Sequence, residues 1–122
     1  VVAIFAQALT QQKPITIFGS GKQTRDFVYV KDVAAANVLA TQNSSAGLMH
    51  ISTNKEISIV DLVKIMQQIS GNTNKILFKE KRPGDIDRSL LDNTCAKNIL
   101  NWQVQYDLVE GLNETLQYYQ LL

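Results

Sequence analysis

A small mixed α/β domain follows from three features of the sequence. Short runs of β-branched and aromatic residues stand at Ile15–Phe18 and 75–78, a longer run places Ile59, Leu62, Val63, Met66 and Ile69 at helical spacing, and the two kinds of run are interleaved. Strands this short, separated by helices, build a small α/β layer and not a full doubly wound sheet. With 122 residues, 45% hydrophobic and 19% charged, the chain is one domain, residues 1–122, large enough to bury roughly two-thirds of its unfolded surface. Twelve Lys and Arg against eleven Asp and Glu leave a charge of +1 with no basic run, which argues against nucleic acid as a partner. No apolar stretch reaches the ~20 residues that cross a bilayer and no basic-then-apolar leader opens the sequence, so no membrane partner is expected and the expected setting is cytoplasmic. A single cysteine, Cys95, excludes an internal disulfide, and with His50 as its only companion it excludes a metal centre built from Cys and His.

Each element has a local reason. Val1, Val2, Phe5, Ala8 and Leu9 recur at helical spacing from the first residue, with no start Met and no capping residue, so the chain is expected to open inside a helix, as a domain excised from a longer protein does. Pro14 ends that helix, and Ile15–Phe18 is the first strand. Gly19-Ser20-Gly21-Lys22 turns the chain, 26–30 reads as a second extended run, and the alanine-rich 32–40 as a tightly packed helix closed by Asn43-Ser44-Ser45-Ala46-Gly47. The stretch 48–52 is compatible with a strand holding His50 in a structural role. Ser58, three residues ahead of Asp61, starts the most clearly amphipathic helix, which stops at Gly71, the residue type suited to a left-handed C-terminal position. After the strand at 75–78, the charged stretch 79–87 is a loop broken by Pro83-Gly84. Asn93 or Asp92 caps a short helix through Leu100, and Asp107 caps a last one with Leu108, Leu112, Leu116 and Tyr119 on one face. Cys95, Trp102 and the Tyr118-Tyr119 pair read as packing residues.

Few residues carry a chemical signal on their own. Gly19-Ser20-Gly21-Lys22 lacks the four-residue spacing and the following Ser or Thr of a phosphate loop, since Gln23 comes next, and Thr24 stands where a dinucleotide fingerprint needs its third glycine. A tight turn between strands is the simpler reading. Arg25, beside that turn, can aim a planar guanidinium from rigid backbone at a carboxylate or phosphate, against the alternative of an ion pair with Asp26 or Asp32. In Arg82-Pro83-Gly84-Asp85 a cation, a stiff turn and a carboxylate fall within four residues. Arg82 there suits phosphate and Asp85 suits sugar hydroxyls, and a solvated charged loop is the competing reading. Glu80, Asp85 and Asp87 stand among Lys79, Lys81, Arg82 and Arg88, which favours ion pairing over a catalytic carboxylate pair.

Two segments together, Phe18-Gly19-Ser20-Gly21-Lys22-Gln23-Thr24-Arg25-Asp26-Phe27-Val28-Tyr29-Val30-Lys31-Asp32-Val33 and Arg82-Pro83-Gly84-Asp85, resemble the C-terminal half of extended short-chain dehydrogenases/reductases. Within these the chain is most similar to the NAD-dependent nucleotide-sugar epimerases and dehydratases, notably of the UDP-glucose 4-epimerase type. Leu91-Asp92, Ala96-Lys97 and Leu100-Asn101-Trp102 resemble the family's ending, with Asn101 where many relatives have Gly, and Glu110-Gly111-Leu112 is similar too. The resemblance implies a substrate-binding domain that sits over an N-terminal Rossmann domain absent from this chain. It implies that Arg25 and Arg82 hold the diphosphate of a UDP- or dTDP-sugar, that Asp85 lies near the ribose, that Phe18 and Thr16 line the uracil side, and that Ile59 lies near the nucleoside. The Gly-rich NAD fingerprint and the Tyr-x-x-x-Lys of the family are not in these residues: Val33 stands four after Tyr29, and Glu110 four after Tyr106. By resemblance, NAD belongs to the full-length enzyme, a homodimer acting as an isomerase in carbohydrate, specifically galactose, metabolism, and this fragment alone is expected to be inactive and to bind no cofactor. A 4,6-dehydratase or decarboxylase on the same scaffold, or a non-catalytic nucleotide-binding module, are the alternative readings.

Overall fold

The computed structural model describes residues 1–44 and 47–119. Among them helices α1 (Val2–Thr10), α2 (Val30–Gln42), α3 (Ile59–Ser70), α4 (Thr94–Leu100) and α5 (Leu108–Tyr118) alternate with strands β1 (Ile15–Phe18), β2 (Thr24–Arg25), β3 (Ile57–Ser58), β4 (Ile76–Lys79) and β5 (Arg88–Ser89). The small mixed α/β architecture is the one the sequence predicts. β1 and β4 pair in parallel with Ile15 opposite Ile76, and β2 is the centre of a second sheet, antiparallel to β3 and parallel to β5. Among the described residues no helix is long and apolar enough to cross a membrane.

The main core lies where α1, α3 and α5 meet β1. Phe5, Leu9, Ile17, Leu62, Met66 and Leu116 are all buried there. α3 forms as its pattern demands: the Ser58 hydroxyl accepts from the Asp61 amide at 3.2 Å, and Gly71 takes the left-handed C-cap at φ 69°. In α5 the capping box is reciprocal, Asp107 accepting from the Glu110 amide and Glu110 from the Asp107 amide, both at 2.8 Å. At α4 Asn93 takes the N-cap position but its side chain turns inward to donate to the Ser52 carbonyl at 2.6 Å, and the Asp92 carboxylate supplies the capping bond, accepting from the Thr94 amide at 2.9 Å. Asn101 ends α4 at φ 52°, the left-handed conformation that Asn adopts in place of Gly. A second, smaller core gathers Ala36, Ala96, Leu100 and Trp102.

Several local expectations are corrected. The extended run at 26–30 forms no ladder; the strand is Thr24–Arg25, because the Asp26 carboxylate turns away to accept from the Thr53 amide, the Thr53 hydroxyl and the Asn54 amide. α2 begins at Val30 with Tyr29 at its N-cap, two residues before Asp32. Asp32 is buried and accepts instead from the amides of Gln105 and Tyr106. That helix is not tightly packed: Ala36 is its one buried alanine, so the alanine content expresses helix propensity and not burial. Residues 48–52 form no strand, and His50 is exposed. Of the segment expected to close α2, Asn43 is the C-cap, and Ser45 and Ala46 lie outside the described residues. The strand expected at 75–78 runs Ile76–Lys79. Cys95 is exposed, and Tyr118 projects into solvent next to a half-buried Tyr119.

α2 is tied to α5 by a polar cluster. The Tyr29 hydroxyl donates to Glu114 at 2.9 Å, the Lys31 ammonium binds the same carboxylate oxygen, and the Tyr29 and Tyr106 rings lie 4.9 Å apart. The family-like Gly111 is needed because a Cβ there would meet the Tyr29 ring at 3.1 Å. The Lys31 hydrogen bond, followed by that from Tyr29, holds the Glu114 carboxyl below its ordinary value, while burial and the same carboxylate push the Tyr29 hydroxyl up. A carboxyl whose folded pKa is depressed stabilises the fold above its unfolded pKa, and that contribution is lost as pH falls through the folded value. Glu114→Gln is therefore expected to flatten part of the acid limb of the stability curve, below about pH 4.3, with little change in slope near neutrality. Urea midpoints measured from neutral to acid pH check this; an acid limb identical to wild type would remove the cluster from the account.

Candidate functional site

One cleft of about 530 Å³ opens between the first turn of α1, the end of β1, β2, the start of α3 and the loop before β5. Thr16, Phe18, Arg25, Ile59, Arg82 and Asp85 all line it, although they come from four separate stretches of sequence. The Gly19-Ser20-Gly21 turn, with Gly19 at φ 79° and Gly21 at φ 75°, takes the chain from β1 of one sheet into β2 of the other, with Phe18 and Arg25 lining the same cleft. The loop carrying Arg82 and Asp85 is anchored at both ends, the Gly19 amide donating to the Lys79 carbonyl and the Thr24 amide to the Asp87 carbonyl, both at 2.8 Å, and Lys81 pairs across it with the Asp87 carboxylate. Within it the Asp85 amide closes a turn onto the Arg82 carbonyl at 3.2 Å, with Gly84 at φ 77°.

Both arginines face this cleft, in different company. Arg25 donates to Asp85 at 2.7 Å across sixty residues of sequence, and to the Thr24 carbonyl at 2.7 Å. Neither Asp26 nor Asp32, the carboxylates nearest in sequence, is its partner. The Arg25–Asp85 pair is partly screened, with side chains 23% and 28% exposed, and the guanidinium keeps further N–H donors for a ligand. Arg82 stacks on the Phe18 ring, its guanidinium carbon 3.8 Å from the ring centroid, and no carboxylate among the described residues forms an ion pair with it. Of the other charges in the loop region, Arg88 pairs with Glu56 at 2.8 Å, and that contact, ahead of the Thr24 hydroxyl, holds the Glu56 carboxyl low. Ile59, only 7% exposed, is a core residue that forms part of the floor.

The backbone of β1 adds a second kind of recognition. Ile15 and Gly19 donate to the carbonyls of Lys75 and Lys79, both at 2.8 Å, so the odd-numbered positions face β4. Because alternate residues of a strand point their N–H and C=O to opposite edges, those of Thr16 and Phe18 face the edge that no strand of the described residues covers. On that edge the Phe18 carbonyl accepts from the Gln23 side-chain amide at 2.6 Å. Gln23 also lines the cleft, and the sequence reading passed over it; its one signal was a place between the glycine turn and Arg25.

A dinucleotide does not fit these residues. The Gly19–Gly21 turn leads into a strand and not into a helix N-terminus, and a Cβ at Gly21 would lie 3.2–3.4 Å from Val60, Ile17 and Phe78, so its glycine serves internal packing and leaves no cradle for a pyrophosphate. A second hollow of about 300 Å³, between α1, Phe27–Val30 and α5, is lined chiefly by apolar side chains and holds no arginine or lysine.

Residues 1–115 match the family model described as GDP-mannose 4,6 dehydratase. The chain is 38% identical over 120 residues to a UDP-glucose 4-epimerase of Mycolicibacterium smegmatis, covering 98% of this chain and 38% of that protein. It superposes with a TM-score of 0.94 and 36% identity on the crystal structure of a Thermotoga maritima UDP-glucose 4-epimerase with UDP-glucose, covering 98% of this chain and 38% of that one. A Bacillus cereus UDP-glucuronic acid 4-epimerase in complex with UDP-glucuronic acid and NAD gives a TM-score of 0.92 at 27% identity, covering 98% and 39%, and further relatives are UDP-glucuronic acid decarboxylases. The chain thus spans less than two-fifths of the length of these proteins. From its matched residues and its fold, this chain belongs to the GDP-mannose 4,6 dehydratase family, the NAD-dependent nucleotide-sugar epimerases and dehydratases.

Proposed function

We propose that the cleft is the nucleotide half-site of an NAD-dependent UDP-sugar 4-epimerase, a domain that binds and orients the UDP or dTDP part of the substrate. The observation that carries this reading is the convergence of two arginines, an aromatic face and an open strand edge on one hollow. Arg25 and Arg82 grip the diphosphate, for which a planar fork of N–H donors is suited. Asp85, oriented by Arg25, accepts from ribose hydroxyls. Phe18 offers its ring to the pyrimidine, and the Thr16 carbonyl with the Phe18 N–H pairs an acceptor and a donor against the N3–H and O4 of uracil or thymine. The same two groups would face an acceptor and a donor, respectively, on cytosine, and reject it. Ile59 closes the floor on the apolar side.

The hydride chemistry at the sugar carbon belongs to NAD held by the rest of the parent chain, so this domain alone is inactive and its contribution is positioning. The similarity to UDP-glucose 4-epimerases favours epimerisation over the decarboxylation of other relatives. Two charge-assisted arginines supply about 1.5–3 kcal/mol each, against the about 8 kcal/mol of a micromolar ligand. Free UDP is therefore expected to bind the domain in roughly the millimolar range. A proton–nitrogen NMR titration with UDP should show saturable shifts confined to Thr16 to Gly19, Gln23 to Asp26, and Arg82 to Asp85. A chain whose spectrum does not move at high millimolar UDP overturns the reading, as does a submicromolar affinity, which a half-site with missing walls does not reach.

A further inference from the structure

We infer that Gln23 is a positioning and specificity-determining residue of the pyrimidine side of the cleft. This rests on the reading of the cleft as a nucleotide half-site. Gln23 makes three connections at once. Its side-chain amide nitrogen donates to the Phe18 carbonyl at 2.6 Å, its own main-chain carbonyl accepts from the Ile59 amide at 3.1 Å, and it precedes the Thr24–Arg25 strand directly. Phe18, Ile59 and Arg25 are thereby held in one frame by a single residue. A carbonyl can only accept, so the bond to Phe18 also fixes which way round the Gln23 amide lies.

The bond matters because of what else lies on that edge of β1. In order along it stand the Thr16 N–H, the Thr16 C=O, the Phe18 N–H and the Phe18 C=O, an alternation of donor and acceptor. A base reads two or three neighbouring groups, and this ladder offers three adjacent pairs, the central one opposite in meaning to the two that flank it. Seated on the Thr16 carbonyl and the Phe18 N–H, the pattern accepts from N3–H and donates to O4 and so selects uracil or thymine. Slipped toward the turn, the Phe18 N–H and the Phe18 carbonyl would donate to an unprotonated ring nitrogen and accept from an exocyclic amine, which is the pattern of cytosine. Gln23 sits on the Phe18 carbonyl and so obstructs the cytosine register at the turn end of the edge. The side chain does this from within the chain, without a water that a ligand could displace. It also holds the Phe18 peptide, and with it the ring on which Arg82 stacks, against rotation.

The test compares wild type with Gln23→Leu and Gln23→Glu in NMR titrations with UDP, CDP and inorganic pyrophosphate. In Gln23→Leu the UDP affinity is expected to fall about fivefold, the effect of one neutral hydrogen bond, while CDP affinity holds or rises and pyrophosphate affinity stays at the wild-type value. In Gln23→Glu the preference for UDP over CDP should depend on pH. A protonated carboxyl still donates to the Phe18 carbonyl at acid pH, whereas the carboxylate repels it once ionised, so the preference weakens as pH rises. A well-dispersed spectrum for either variant establishes that it is folded, and the Glu variant keeps the test informative if the Leu variant is not. An unchanged UDP-to-CDP ratio in a folded variant overturns the inference. So does an equal loss for UDP and pyrophosphate, which marks a general distortion of the cleft. If wild type itself binds neither UDP nor CDP, the half-site reading fails, an outcome distinct from a wild type that binds UDP beside a Gln23→Leu variant that binds it equally well.

Discussion

Arg25→Ala is expected to lower affinity for UDP by roughly ten- to a hundredfold, the largest effect of any single change in the cleft. The substitution removes a charge-assisted donor to the diphosphate, worth about 1.5–3 kcal/mol. It also frees Asp85, whose carboxylate then stands beside the phosphates without the guanidinium that now lies 2.7 Å from it. Both changes act in the same direction. Arg25→Lys should recover part of the loss, since it restores the charge without the planar fork that reaches Asp85 and a phosphate together. Arg82→Ala should also weaken UDP, and in addition disturb Phe18 by removing the stacked cation. Because the wild-type domain is expected to be a millimolar binder, the Arg25→Ala result reads as a titration that no longer saturates; in a full-length parent enzyme it reads as a raised KM for the nucleotide sugar. Retained UDP shifts of wild-type size in Arg25→Ala would place the diphosphate elsewhere.

Trp102→Ala is expected to destabilise the fold by about 3–5 kcal/mol, a large part of the 5–15 kcal/mol typical of a whole domain. Trp102 is 1% exposed and fills the second core against Ala36, Ala96 and Leu100. Its indole N–H donates to the Asp32 carbonyl at 2.9 Å, beside the Asp32 carboxylate that caps the amides of Gln105 and Tyr106. Removing the ring leaves a cavity beside α2 and removes the indole hydrogen bond to the Asp32 carbonyl. Trp102→Phe separates the two, since it keeps most of the apolar volume and loses the hydrogen bond, and should cost about 1–3 kcal/mol. Thermal unfolding followed by circular dichroism should show a drop of roughly 10–20 °C for the Ala variant and a smaller one for Phe. Since Trp102 is the one tryptophan of the sequence, its own fluorescence cannot serve as the probe. Melting at the wild-type temperature in Trp102→Ala would mean that α2 and α4 are held by something other than this residue.

The helices with strong local signals were legible because the signal and the structure share a cause. Ser58 and Gly71 bound α3, and Asp107 begins α5, because caps satisfy amides or carbonyls that any helix leaves free, whatever packs around it. The opposite holds for Asp26 and Asp32. Each carboxylate has several amides within possible reach, and which it takes depends on where loops 53–54 and 105–106 arrive after folding. The two-residue strands β3 and β5 exist only as partners of β2 and have no pattern of their own to read.

The candidate site divides along the same line. Residue types and spacing were enough to nominate Arg25, Arg82 and Asp85, since planar cations and a stiff turn are local chemistry, and the family resemblance added Phe18, Thr16 and Ile59. That all six line one cleft, that Arg25 pairs with Asp85 in preference to its neighbours in sequence, that Arg82 rests on Phe18, and that Gln23 ties the end of β1 were decided only by the fold. The physical reason is range: caps, turns and helical periodicity act over a few residues and are written where they act, whereas the Arg25–Asp85 contact spans sixty residues and depends on the β1–β4 ladder and the β2–β5 pairing being in place.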